Sequence, residues 1–173
     1  MQKTLVMLLL TLWSTTTFAA PEDFHAGTII KNYGLIASVP GATLPKDAKF
    51  KVAFDVSAAA EGNTVNRQIE KAARFLNMHA EMGVKPENMS LAVVIHGPAS
   101  RDITTDAKYG GENPNAGLIK ALSEAGVKII LCGQTAAFRN IAKDELLPDV
   151  ETWLSAMTAH ALLQQDGYSL NPF

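Results

Sequence analysis

Few side chains in this sequence are suited to chemistry, and one of them is singular. Cys132 is the only cysteine. It closes the stretch Gly126-Val127-Lys128-Ile129-Ile130-Leu131-Cys132, and Gly133, Gln134 and Thr135 follow it. A short apolar, β-branched run after a helix-stopping glycine reads as a buried parallel strand. The next residues, 136–140, read as a helix. A thiol at the carboxyl end of such a strand stands where open α/β sheets take their ligands. The dipole and free N–H groups of the following helix favour its thiolate, which is the nucleophile. A second reading stands beside this one: free cysteine is among the most buried residue types, and the thiol then only fills space.

His96 ends another apolar run, residues 90–95, just before Gly97-Pro98. If its strand neighbours the cysteine strand, its imidazole can take the thiol proton; otherwise it caps a strand end. Asp55 and Ser57 end an earlier run, where the carboxylate either orients a ligand or is simply solvated in a turn. Cys132 and His96 are therefore the catalytic candidates. Asp55, Ser57, Gly97, Gly133, Gln134 and Thr135 are the candidates for binding a ligand. Other chemistries find no support. Gly110-Gly111 follows no strand and lacks a lysine and hydroxyl in phosphate-loop register. There is no Gly-x-Ser-x-Gly elbow and no dinucleotide fingerprint. The histidines and the cysteine lack the close spacing of a zinc site, so neither a metal nor a cofactor is expected.

Positioning these groups requires a regular alternation of elements. Residues 49–57 form the first strand. A helix follows over residues 65–82, capped by Asn63 or Thr64, with Ile69, Ala72, Ala73, Leu76 and Ala80 on its inner face and Gly83 as its stop. His79 belongs to packing near that helix end or to a subunit contact. After the second strand, residues 101–113 form a polar loop with room for one helical turn. Pro114 then opens a second helix carrying Leu118, Ile119, Leu122 and Ala125 inward. Residues 150–155 make a fourth strand and residues 156–165 a closing helix, while the tail from Tyr168 lacks a pattern. Alternating strands and helices with nearly all-apolar strands imply a parallel sheet covered on both faces. Its strand carboxyl ends share one rim.

The first residues stand apart. A basic start at Lys3, an apolar core over residues 5–12 and Thr17-Phe18-Ala19 read as a secretory signal peptide cut after Ala19. The domain plan is thus a leader over 1–19, an arm rich in glycine and proline over 20–48, and an α/β domain over 49–173. His25, in the arm, reads as a solvated surface residue. The formal net charge is −2, and leader cleavage removes a further cation. No basic block remains, so nucleic acid is not an expected partner, nor is stable membrane insertion after cleavage. Export to an oxidising compartment permits disulfides, but one cysteine makes none internally.

Taken as a set, several motifs resemble the exported branch of the DsrE/DsrF-like (YchN-like) sulfur-relay family. They are Phe54-Asp55-Val56-Ser57, Arg74-Phe75-Leu76-Asn77-Met78-His79, Val94-Ile95-His96-Gly97 and the stretch from Val127 through Gln134. Leu146-Leu147-Pro148, Ser155-Ala156-Met157-Thr158-Ala159 and Gln165-Asp166-Gly167-Tyr168 complete the set. The resemblance runs from about Lys49 to the carboxyl terminus. It implies a three-layer α/β/α fold with a mainly parallel sheet, and a homotrimer or homohexamer. It also implies that Cys132 matches the position where cytoplasmic members accept sulfur as a persulfide and pass it to a partner protein. The expectation is a periplasmic sulfur-handling protein of sulfurtransferase type. The alternative is a non-enzymatic oligomer that binds a small ligand, or serves as a scaffold, around an inert cysteine.

Overall fold

The computed structural model describes residues 23–172. The expected leader therefore lies outside the described residues. Among the described residues five strands form one sheet: β1 (Phe50–Val56), β2 (Met89–Ile95), β3 (Lys128–Cys132), β4 (Val150–Trp153) and β5 (Ser169–Asn171). All pairings are parallel, in the order β4-β3-β2-β1-β5. The fifth strand comes from the tail that carried no sequence pattern. Its three residues pair with Val52, Ala53 and Phe54 at the sheet edge.

Helices α1 (Arg67–Glu81), α2 (Asp106–Tyr109), α3 (Ala116–Glu124), α4 (Gly133–Phe138) and α5 (Ala156–Gln165) connect the strands. Side chains alternate across a strand, so neighbouring residues serve opposite faces. On one face Phe54, Val56, Val93, Ile95, Ile129 and Leu131 pack under α1 and α3. Burying Ile69 and Leu76 of α1 there stabilises the fold by about 1.5–3 kcal/mol each. On the other face Ala53, Ala92, Val94 and Ile130 meet Ala159 and Leu163 of α5, with Tyr168 beside them and Trp153 and Ala156 packed at the margin. This is a three-layer α/β/α fold.

Two helix starts differ from the sequence expectation. The cap of α1 is Asn66, whose side-chain oxygen accepts from the amides of Gln68 and Ile69. Thr64 instead donates to the Glu61 carbonyl at 2.8 Å, within the preceding turn. Asn66 wins because its remaining groups are also used: its side chain donates to Asp102 and Ala58, and its own amide donates to Asn115. Helix α3 begins at Ala116 rather than at Asn113: Pro114 lies just before it, and Asn115 takes the cap position. The polar segment after β2 holds a 3₁₀ turn over Gly97–Ile103 as well as α2.

The described part of the arm lies along α1. His25 and Ile36 form an isolated antiparallel bridge. Asn77, wholly buried on α1, accepts from the Ile30 amide and donates to the carbonyls of Ile30, Tyr33 and Gly34. His25 is exposed but not merely solvated, since its Nε2 lies 2.7 Å from Glu81. His79 is packed as the sequence suggested, stacked on Phe75 with its Nδ1 2.8 Å from the Phe75 carbonyl.

Candidate functional site

The connections at the carboxyl rim diverge between β3 and β4. Helix α4, leaving β3, joins the face of α1 and α3 through Ala136, whereas α5, leaving β4, crosses to the other face. A crevice between strands whose connections part in this way is the usual ligand position of an open α/β sheet. Cys132 lies at this divergence, register partner of Trp153 on β4. Glycine is needed at the next position for space: a Cβ on Gly133 would lie 2.7 Å from the Trp153 carbonyl oxygen and 3.1 Å from that of Leu154.

Both helices begin at the sulfur. Cys132 itself is the cap residue of α4, and Ala156 is the first residue of α5. Burial raises the thiol pKa. The Thr135 hydroxyl and the amides of Thr135, Ala156 and Gln134 outweigh it, leaving the pKa below the ordinary thiol value. Thr135 can donate to sulfur because its oxygen is already an acceptor, taking the Gly97 amide at 3.1 Å. One hydroxyl thus ties the end of β2 to the end of β3. The Gln134 side chain donates to the Leu154 carbonyl at 3.4 Å, on the turn that roofs the sulfur.

The rim is less open at this point than the sequence implied. Cys132 is only 6 % exposed, because the turn from β4 into α5 lies over it. The surroundings are nevertheless polar amides rather than hydrocarbon, and Cys132 joins neither apolar cluster.

His96 follows directly after β2, whose Ile95 is the register partner of Leu131. It therefore stands beside Cys132. The hydrogen bond recorded for its imidazole runs to Asp55, with Nε2 3.3 Å from the carboxylate. By alternation Asp55, His96 and Cys132 project to the face that α5 covers. Asp55 is no free turn carboxylate. A second imidazole, His160 of α5, places Nε2 2.7 Å from its Oδ1. Side-chain exposures are 35 % for Asp55, 32 % for His96 and 16 % for His160. Ser57 is exposed, and its carbonyl accepts from the Ala99 amide at 3.0 Å. Gly97, with φ +56°, makes the turn that brings its amide to Thr135.

His160 is the residue that sequence reasoning missed. Its signal was faint: it adjoins Ala159 on the inner stripe of a helix whose placement depends on the long crossover from β4 to β5. Among the described residues no group of three His, Cys, Asp or Glu side chains is placed to hold a metal ion, and no helix is long and apolar enough to cross a membrane.

A family model described as "DsrE/DsrF-like family" matches residues 50–172. Two solved structures share the fold. One is the protein of unknown function MTH1491 from Methanobacterium thermoautotrophicum, at 18 % identity and a TM-score of 0.57 over 72 % of this chain and 100 % of that one. The other is the ychN protein from E. coli, at 17 % identity and a TM-score of 0.53 over 72 % of this chain and 99 % of that one. No curated protein matches the sequence.

Proposed function

Because this chain belongs to the DsrE/DsrF-like family, we propose that it handles sulfane sulfur, carried as a persulfide on Cys132. One observation carries the reading: the amides of Gln134, Thr135 and Ala156 and the Thr135 hydroxyl converge on a single sulfur and lower its pKa. Such a thiolate attacks the outer sulfur of a donor persulfide, R–S–SH. A bond forms between Cys132 Sγ and the outer sulfur, the S–S bond of the donor breaks, and R–S⁻ leaves. His96 takes the thiol proton beforehand and returns it to the leaving thiolate. Sulfur and protons balance, with no oxidant and no metal consumed. Handing the sulfur on to an acceptor thiol is the same exchange in reverse.

The signal-peptide pattern of residues 1–19 supports action in the periplasm, with a donor or acceptor protein as partner. The protein works as a homotrimer or homohexamer. Phe138 at the end of α4, and Leu154 and Met157 around the start of α5, are large apolar side chains exposed in the single chain, as an assembling surface requires. The test is intact-mass analysis after exposure to polysulfide. The wild type gains one sulfur that a reductant removes, and Cys132→Ser gains none.

The shielding of Cys132 favours a second reading, a non-enzymatic binding or scaffold oligomer with the cysteine as wall. No sulfur uptake together with an ordinary thiol pKa selects it.

A further inference from the structure

We infer that Asp55 and His160 are positioning residues for His96, forming a chain His160–Asp55–His96 that fixes which imidazole nitrogen exchanges protons with the cysteine chemistry; this rests on the persulfide reading of Cys132. An ionised carboxylate only accepts hydrogen bonds, so each imidazole turned toward Asp55 through Nε2 carries its proton there. The lone pair of a neutral His96 is then on Nδ1, the nitrogen turned away from Asp55. Among the described residues the ion pairs of Asp55 are with these two imidazoles and with no lysine or arginine. When His96 takes the thiol proton, Asp55 is therefore the countercharge that steadies the imidazolium. The arrangement follows the logic of a base oriented by a third group.

His160 adds the anchor. Its bond to Oδ1 is the shorter of the two, 2.7 Å against 3.3 Å, and it is the more buried ring. Its Nδ1 is buried without a hydrogen-bond partner. A buried polar atom left unpaired is unusual and calls for a reason. Holding Asp55 supplies one, because an apolar residue there would pack as well and leave the carboxylate free to turn. The chain is also tied to the sulfur through the backbone. His160 lies one turn after Ala156 on α5, and the Ala156 amide reaches Cys132. The titratable groups that this face gathers at the rim are Asp55 from β1, His96 after β2, Cys132 from β3 and His160 from α5, with Glu151 of β4 beside Ile130 accepting from the Trp153 ring N–H at 2.9 Å.

The experiment combines sulfur transfer from loaded Cys132 to a small acceptor thiol, across pH, with the histidine tautomers read from nitrogen-15 NMR. The wild type is expected to show His96 and His160 as Nε2–H tautomers. Asp55→Asn and His160→Leu should slow transfer by about ten- to a hundredfold, within the share a general base supplies. Both should distort the pH profile and the His96 tautomer signal, while the thiol pKa, set by other donors, stays in place. His160→Gln, which keeps a side-chain N–H donor, should restore much of the rate. Normal loading with wild-type rates and profiles in Asp55→Asn and His160→Leu would overturn the chain alone, as would an Nδ1–H tautomer of His96 in the wild type. Should His160→Leu not fold, the isosteric Asp55→Asn decides the matter. A wild type that takes up no sulfur removes the persulfide reading itself, and the chain's role with it.

Discussion

The two faces of the sheet are built for different ends. Among the described residues, the cluster that α1 and α3 form with the sheet has twenty-three buried apolar members, and the side chains that β1, β2 and β3 send there are apolar to their last position. Under α5 the buried cluster has seven, and the same strands end on Asp55, His96 and Cys132. Strand alternation alone separates the two sets: Val56, Ile95 and Leu131 point one way, and their chain neighbours the other. The thicker face holds the molecule together. The thinner one leaves room at the rim for polar groups, because a single helix covers it and that helix brings a histidine and the Ala156 amide that reaches the sulfur. Stability and chemistry are divided by the direction in which consecutive residues point.

The sharpest way to break this comparison is to remove the same side chain from each face. Ile129 and Ile130 are consecutive, both essentially unexposed, and belong to opposite clusters. Ile129→Ala should lower unfolding stability by about 4 kcal/mol and Ile130→Ala by about 2 kcal/mol, because a single helix settles into a void more readily than two. Urea midpoints with unchanged slopes measure both; equal losses would end the distinction.

A smaller effect sharpens the thin side. Thr135→Val removes a donor to sulfur and an acceptor for the Gly97 amide. It should cost about 1 kcal/mol and raise the thiol pKa, read from the pH dependence of alkylation. Smaller still is the linkage of folding to the thiol itself. The folded pKa of Cys132 is depressed, so its contribution is complete above the ordinary thiol value and disappears as pH falls through the lowered one. The stability difference between wild type and Cys132→Ala should therefore grow with pH across that window.

The least effect belongs to the arm on the thick side. Glu81, by its hydrogen bond and charge, raises the pKa of His25, so that group's contribution is present below the unfolded histidine value and is lost as pH rises through the raised one. Ser38 first, and then His25, lower the pKa of Glu81, so its contribution is lost as pH falls through that depressed value. Glu81→Gln should return the His25 midpoint to the ordinary imidazole range by NMR titration, with the melting temperature almost unmoved.

Much of this plan could be read from the chain. The apolar runs ending at Val56, Ile95 and Cys132 announced three parallel strands and placed Asp55, His96 and the thiol on one rim. Ser169-Leu170-Asn171 announced nothing, because a three-residue edge strand needs no apolar run and becomes a strand only beside β1. His160 was hidden for a related reason. A helical period says which residues face inward, not which strand they reach, and that depends on α5 passing beneath the sheet from one edge to the other. The cap of α1 was misplaced because three polar residues compete there, and the buried partners Asp102 and Asn115 decide for Asn66.

Gly133 has one more consequence. Since its missing side chain is the clearance on which the Trp153–Leu154 peptides rest, a single methyl group there acts as a wedge under the lid of the sulfur. An alanine would pry that lid upward, and with it the Ala156 amide two residues further on, which donates to the sulfur. The backbone thus contains its own adjustment screw, one that widens the doorway to larger reagents while loosening one of the donors that keep the thiol acidic.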